Sequence, residues 1–171
     1  MNYTTAKGRV FAMLDADGDG IISKQEYLAR TDHVTHATGR QKDDPLAVVA
    51  RAAAERVWDS MDANRDGGVT FDEYDAWAGG PAFDSVCRDA LGALFDLADT
   101  DRDGKLNRAE FTMLRETLRN PVSYADAAFD ALDADRDGRI GRDEYLASIR
   151  AHVTGERSRM GDVLYGAAAG A

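Results

Sequence analysis

The chain has 171 residues, a formal net charge of −10 and 44% hydrophobic residues, enough for one compact domain or two small packed ones. That acidity argues against binding nucleic-acid phosphates or an anionic membrane surface, which both need basic patches. A single cysteine, Cys87, excludes an intramolecular disulfide and reads as a small buried helix residue.

The N-terminal residues Met1 to Lys7 show no apolar signal-peptide core, Asn2 does not suit myristoylation, and no apolar run is long enough to span a membrane. The expectation is a cytoplasmic, monomeric protein. In chain order, the first helix is expected over residues 5–14 and the second over 24–38. Asp44-Pro45 then caps and opens a long helix to Met61. A short helix from Phe71 stops at Gly79-Gly80-Pro81, the expected boundary between two halves. Further helices are expected over 81–98 and 108–119. Asn120-Pro121 breaks the chain, and Ser123 is expected to cap the next helix, which runs to Leu132. A last helix covers about 142–153. The expected organisation is residues 1–80, residues 81–154 and a tail, 155–171.

Between these helices one pattern recurs four times, D-x-[DN]-x-D-G-x5-E, beginning at Asp15, Asp62, Asp99 and Asp133. Four residues before each copy stands an aromatic, Phe11, Trp58, Phe95 and Phe129, and directly after each stands another, Tyr27, Tyr74, Phe111 and Tyr145. Each unit is therefore helix, loop, helix. The chain holds 24 Asp and 7 Glu. Eleven of the Asp and four of the Glu fall at the fixed acidic positions of these loops, which accounts for an Asp excess that helices alone would disfavour.

The oxygen pattern fits calcium, a hard cation that takes 6–8 oxygens at about 2.3–2.6 Å. Positions 1, 3 and 5 supply short side chains: Asp15, Asp17 and Asp19; Asp62, Asn64 and Asp66; Asp99, Asp101 and Asp103; Asp133, Asp135 and Asp137. Position 7 offers a backbone carbonyl, from Ile21, Gly68, Lys105 and Arg139. Position 9 is Ser23, Thr70 and Asn107 in the first three loops. It is Gly141 in the fourth, where water must substitute. Position 12 is the two-oxygen ligand, Glu26, Glu73, Glu110 and Glu144. Glycine at position 6 (Gly20, Gly67, Gly104, Gly138) permits the sharp turn. The apolar position 8 predicts two antiparallel bridges, Ile22 facing Val69 and Leu106 facing Ile140. Glu at position 12 and helices on both sides separate these loops from dockerin-like repeats. The same Glu favours calcium over magnesium, which is expected to compete for some of the sites.

On these motifs, residues 5–150 resemble the EF-hand superfamily. That implies an all-α fold of four helix-loop-helix units packed as two pairs in a compact globule. Loop starts lie 47, 37 and 34 residues apart. Calmodulin-like proteins keep these intervals nearly equal, whereas a long first interval resembles sarcoplasmic calcium-binding proteins and their bacterial relative calerythrin. That resemblance implies a calcium buffer or carrier. The chain departs from calerythrin in its second loop, damaged there and intact here, so up to four ions are expected. An Arg-over-Lys bias of 17 to 4 points to a GC-rich bacterial genome.

No catalytic constellation appears. His33 and His36 fit a solvated helix face. The alternative to a buffer is a sensor that exposes an apolar groove to a target protein; five methionines and no long polar linker favour the buffer. Met160, Val163, Leu164 and Tyr165 suggest a tail that plugs such a groove.

Overall fold

A computed structural model describes residues 5–156 of the chain. The plugging reading rests on side chains outside that span. The element order is α1 (Ala6–Leu14), β1 (Ile21–Ser23), α2 (Lys24–Ala37), α3 (Pro45–Met61), β2 (Gly68–Thr70), α4 (Phe71–Trp77), α5 (Gly80–Ala82), a π-helical turn (Phe83–Cys87), α6 (Arg88–Ala98), β3 (Lys105–Asn107), α7 (Arg108–Thr117), a 3₁₀ turn (Val122–Tyr124), α8 (Ala125–Leu132), β4 (Arg139–Gly141) and α9 (Arg142–Val153).

Local chemistry sets most of these boundaries. Thr5 caps α1 by accepting from the Gly8 N–H at 3.0 Å, and Asp44 caps α3 by accepting from the Leu46 N–H at 2.9 Å ahead of Pro45. Helix α7 ends earlier than expected, at Thr117. Arg119 takes a left-handed φ of 61°, and the Arg119 and Asn120 N–H groups bond back to Glu116 and Arg115, closing the helix before Pro121.

Two expectations fail here. Ser123 does not cap the following helix: residues 122–124 wind into a 3₁₀ turn, so α8 starts at Ala125 with no side-chain cap. The helix expected over 81–98 is broken in character, because its Phe83–Cys87 stretch is a π-helical turn.

The two strand pairs form in the expected register, Ile22 opposite Val69 and Leu106 opposite Ile140, all four fully buried. The aromatics that flank each loop pair across the strands rather than within their own unit. Phe11 meets Tyr74 (5.7 Å between ring centroids), Trp58 meets Tyr27 (6.2 Å), Phe95 meets Tyr145 (5.5 Å) and Phe129 meets Phe111 (5.7 Å). The ring before each loop thus packs on the ring after its partner, and such contacts contribute about 0.5–1.5 kcal/mol each beyond burial. This exchange locks the units into pairs.

The pairs also share a core. Phe11, Leu14, Ile22, Trp58, Met61, Val69 and Tyr74 form one cluster in the first pair. The second cluster, around Phe95, Leu97, Phe111, Leu114 and Phe129, takes in Val34 from α2 and Ala47 and Ala50 from α3. Helix α3 packs on both α2 and α6. The long first interval therefore has a structural use: it supplies the length by which α2 and α3 reach the second pair.

Candidate metal centres

Each loop is wound around its own carboxylates by backbone N–H groups. In the first, Asp15 Oδ1 accepts from the Gly18 N–H at 2.9 Å and Oδ2 from the Gly20 N–H at 3.0 Å. Asp17 Oδ1 accepts from Asp19 N–H at 3.1 Å, and Asp19 Oδ1 from Ile21 N–H at 2.8 Å. The third and fourth loops repeat this. Asp99 and Asp133 accept from Gly104 and Gly138, and Asp101, Asp103, Asp135 and Asp137 accept from amides two residues on. A side chain tethered to its own backbone on one edge leaves its remaining lone pairs to converge on the loop centre.

Position 12 closes the ring. Glu26 Oε1 accepts from the Ala16 and Asp17 N–H groups at 2.9 and 3.1 Å, while Oε2 accepts from Ser23 N–H and Oγ–H. Burial raises the Glu26 carboxyl, but these donors outweigh it and hold it below the usual range. Glu110 likewise accepts hydrogen bonds from Thr100, Asp101 and Asn107. Glu144 bonds the Gly141 N–H at 2.9 Å. Carboxylate oxygens of Asp15, Asp17 and Asp19, of Asp99, Asp101 and Glu110, and of Asp133, Asp135 and Asp137 come within 4.8 Å of one another.

The second loop is assembled differently. Asn64 Nδ2 donates to Asp66 Oδ2 at 3.0 Å and to Glu73 Oε1 at 2.6 Å, so an amide edge lies between the two acids. Asp62 Oδ2 accepts from the Gly67 N–H, while its Oδ1 is buried without a hydrogen-bond partner. An orphaned carboxylate oxygen in a residue only 6% exposed is the kind of group a bound cation satisfies. The oxygen donors therefore fit calcium in this loop as well.

Position 9 has a second duty that sequence reasoning missed: Ser23, Thr70 and Asn107 are the N-caps of α2, α4 and α7. Position 7 places Ile21, Gly68, Lys105 and Arg139 at the first residue of each strand. The side chains there differ between the pairs. Lys105 reaches across the bridge to Asp137, and Arg139 reaches back to Asp103, with Asp101 at 3.9 Å. The Lys105 ammonium holds the Asp137 carboxyl below the usual range, whereas burial pushes Asp99 above it. Ile21 and Gly68 offer the first pair no such charge. Three loops also place arginine at position 4 with a left-handed φ, Arg65 and Arg102 at 59° and Arg136 at 58°, where the first has Gly18.

Residues 88–150 match the EF-hand domain pair family and residues 8–29 the EF hand family. The chain carries EF-hand domains. A probable calcium-binding protein, CML16, from Oryza sativa subsp. japonica is 36% identical over 102 residues, 60% of this chain and 52% of that protein, so the match spans about half the relative's length. Among solved structures, a Streptomyces coelicolor calcium-binding protein superposes with a TM-score of 0.77 at 23% identity, covering 91% of this chain and 100% of the other. The Ca2+-regulated photoprotein mitrocomin from the jellyfish Mitrocoma cellularia reaches 0.78 at 18% identity, covering 96% and 89%. Both likenesses establish the fold. Among the described residues, no helix is long and apolar enough to cross a membrane.

Proposed function

We propose that the chain binds up to four calcium ions and acts as a calcium buffer or carrier. The ligands of this reading are the side chains at positions 1, 3, 5 and 12 of each loop and the carbonyls of Ile21, Gly68, Lys105 and Arg139. At position 9, Ser23, Thr70 and Asn107 act by side chain or through a water, and water takes that place at Gly141. When bound, the ion neutralises acids that otherwise repel one another. The chain's own part is to aim oxygens through backbone N–H groups and to couple the loops of a pair through the Ile22–Val69 and Leu106–Ile140 bridges. Magnesium, which demands tight octahedral geometry, competes less well for a two-oxygen glutamate site. The pairs divide at Gly79-Gly80, and the chain works as a cytoplasmic monomer, a reading that the single cysteine and the acidic surface favour.

The observation that carries the buffer reading is the burial of Val34, Ala47 and Ala50 in the core of the second pair. Part of the apolar face that the second pair would offer a target is covered by the protein's own α2 and α3. The second reading is a regulator that opens for a target protein, and the Streptomyces relative is described as a basis for prokaryotic calcium-mediated regulation. A calcium titration of the metal-stripped chain that follows heat and hydrophobic-dye fluorescence together separates the two. The buffer reading expects three or four ions and flat or falling dye signal. A dye signal that climbs several-fold with calcium overturns it in favour of the regulator, and two ions or fewer defeat the competence of all four loops.

A further inference from the structure

A cavity of about 180 Å³ lies between the two pairs, walled by α1, α2, α3, α4, α5, the π-helical turn, α6, α7 and α9. Its walls are apolar side chains such as Met13, Trp77, Leu94 and Ile149. Two arginines line it, Arg30 and Arg115, with His152 beside them. Arg30 projects from α2 with its guanidinium carbon 5.9 Å from the centre of the Tyr27 ring, and its Nε is buried without a hydrogen-bond partner. No carboxylate of the described residues lies within ion-pair distance of Arg30, although Arg40, Arg51, Arg108, Arg142 and Arg150 each have an aspartate partner.

The groups that face Arg30 cannot supply the missing charge. Burial raises Tyr27, Tyr74 and Tyr145 and pushes the Cys87 thiol up to about 12, with the Arg30 charge pulling each the other way. All four stay neutral at pH 7. A guanidinium beside an apolar void, in a chain with 31 acids, is an unusual expense unless an anion meets it.

We propose that this cavity is a binding site for a small amphiphilic monocarboxylate, its carboxylate on Arg30 and its hydrocarbon body against Met13, Trp77, Leu94 and Ile149. The volume sets the size: an apolar cavity of roughly 150 Å³ holds benzene, so a body of about six to eight carbons fits. Planar guanidinium and carboxylate pair through two parallel hydrogen bonds, which fixes the head of the ligand while the apolar wall accepts its tail. The site is separate from the four loops and does not rest on their occupancy.

The test uses the calcium-saturated full chain with octanoate, 1-octanol and octylammonium as probes, followed by calorimetry. Octanoate is expected to bind at one equivalent. The alcohol and the ammonium are expected to bind at least about tenfold more weakly, the discrimination that one charge-assisted hydrogen bond supplies. Arg30→Met is expected to abolish that preference while leaving octanol binding within about twofold, and Arg30→Lys to restore it in part. Cys87 is the chain's single cysteine and lines the cavity, so its alkylation rate reports occupancy directly; octanoate is expected to slow it at least about fivefold, since an occupied cavity excludes the reagent. Absence of saturable octanoate binding, equal binding of acid and alcohol, an Arg30→Met variant that keeps the preference, or Cys87 alkylation indifferent to octanoate each overturns the proposal.

Discussion

Glu110→Gln tests the design of the loops with the least change of shape. Glu110 Oε1 accepts from Thr100 N–H (2.9 Å), Thr100 Oγ–H (2.7 Å) and Asp101 N–H (3.3 Å), and Oε2 accepts from Asn107 N–H (3.0 Å). Glutamine keeps its oxygen on the side with three donors. Its NH2 then meets the Asn107 N–H, donor against donor, in a residue only 6% exposed. Leaving one buried donor unsatisfied costs about 1–3 kcal/mol in the metal-free protein. In a chain of this size each kcal/mol shifts the melting temperature by roughly 2–4 °C. The calcium-loaded loss is larger. A unit charge pair at 4 Å is worth about 4 kcal/mol at an effective dielectric of 20, and a divalent cation doubles it before desolvation of the carboxylate is subtracted. A net loss of a few kcal/mol, or a hundredfold or more in Kd, is expected at this loop. Calorimetry should count one tight ion fewer, and melting with chelator present should start several degrees lower. Full stoichiometry with Kd within about threefold, together with an unchanged chelated melt, would refute the assignment of Glu110 as the group that both closes and charges this loop.

Chelation should lower the melting temperature sharply, because an ion present at 1,000 times its Kd contributes about 4 kcal/mol per site; melts with and without chelator that coincide would count against occupancy. Arg136→Gly should raise the urea midpoint of the chelated protein, since a left-handed non-glycine residue costs about 1–2 kcal/mol and the added freedom of the unfolded chain returns about 0.4–1. Burial, with the Arg9 charge beside it, holds the His152 imidazole below its ordinary range. The folded state then binds fewer protons than the unfolded one, so this stability is complete above about pH 6.5 and lost as pH falls through it; His152→Gln should shrink the drop in urea midpoint between pH 7.5 and 5.5.

The loops were legible because each depends on residues within a dozen positions, and their strand register followed from the apolar residue that stands at the same place in every loop. Asp15 and Gly20, or Leu106 and Ile140, announce their roles by spacing alone. Asp44-Pro45 was legible for the same reason. Ser123 was misread because a capping residue competes with other turns, and a 3₁₀ turn before Ala125 won. The exchange of Phe95 for Tyr145 and of Phe129 for Phe111 across partner loops carried no local signal, since any aromatic at those offsets reads as its own unit's core. Val34, Ala47 and Ala50 read as helix faces without an address. Arg30 carried no signal in the sequence; only the fold brings three tyrosines and a thiol around it. The long first interval was visible in the spacing, but its use, length to reach the other pair, was a tertiary fact.

The crossed arms of Lys105 and Arg139 divide labour between the pairs. In the second pair each loop lends a positive charge to the acids of its neighbour, so the empty loops there already carry part of their own neutralisation. The first pair has Ile21 and Gly68 at those positions and answers its acids with backbone N–H groups and the Asn64 amide. Val34, Ala47 and Ala50 meanwhile anchor α2 and α3 to the second pair. In the first pair a bound ion has no such position-7 cation with which to share the neutralisation.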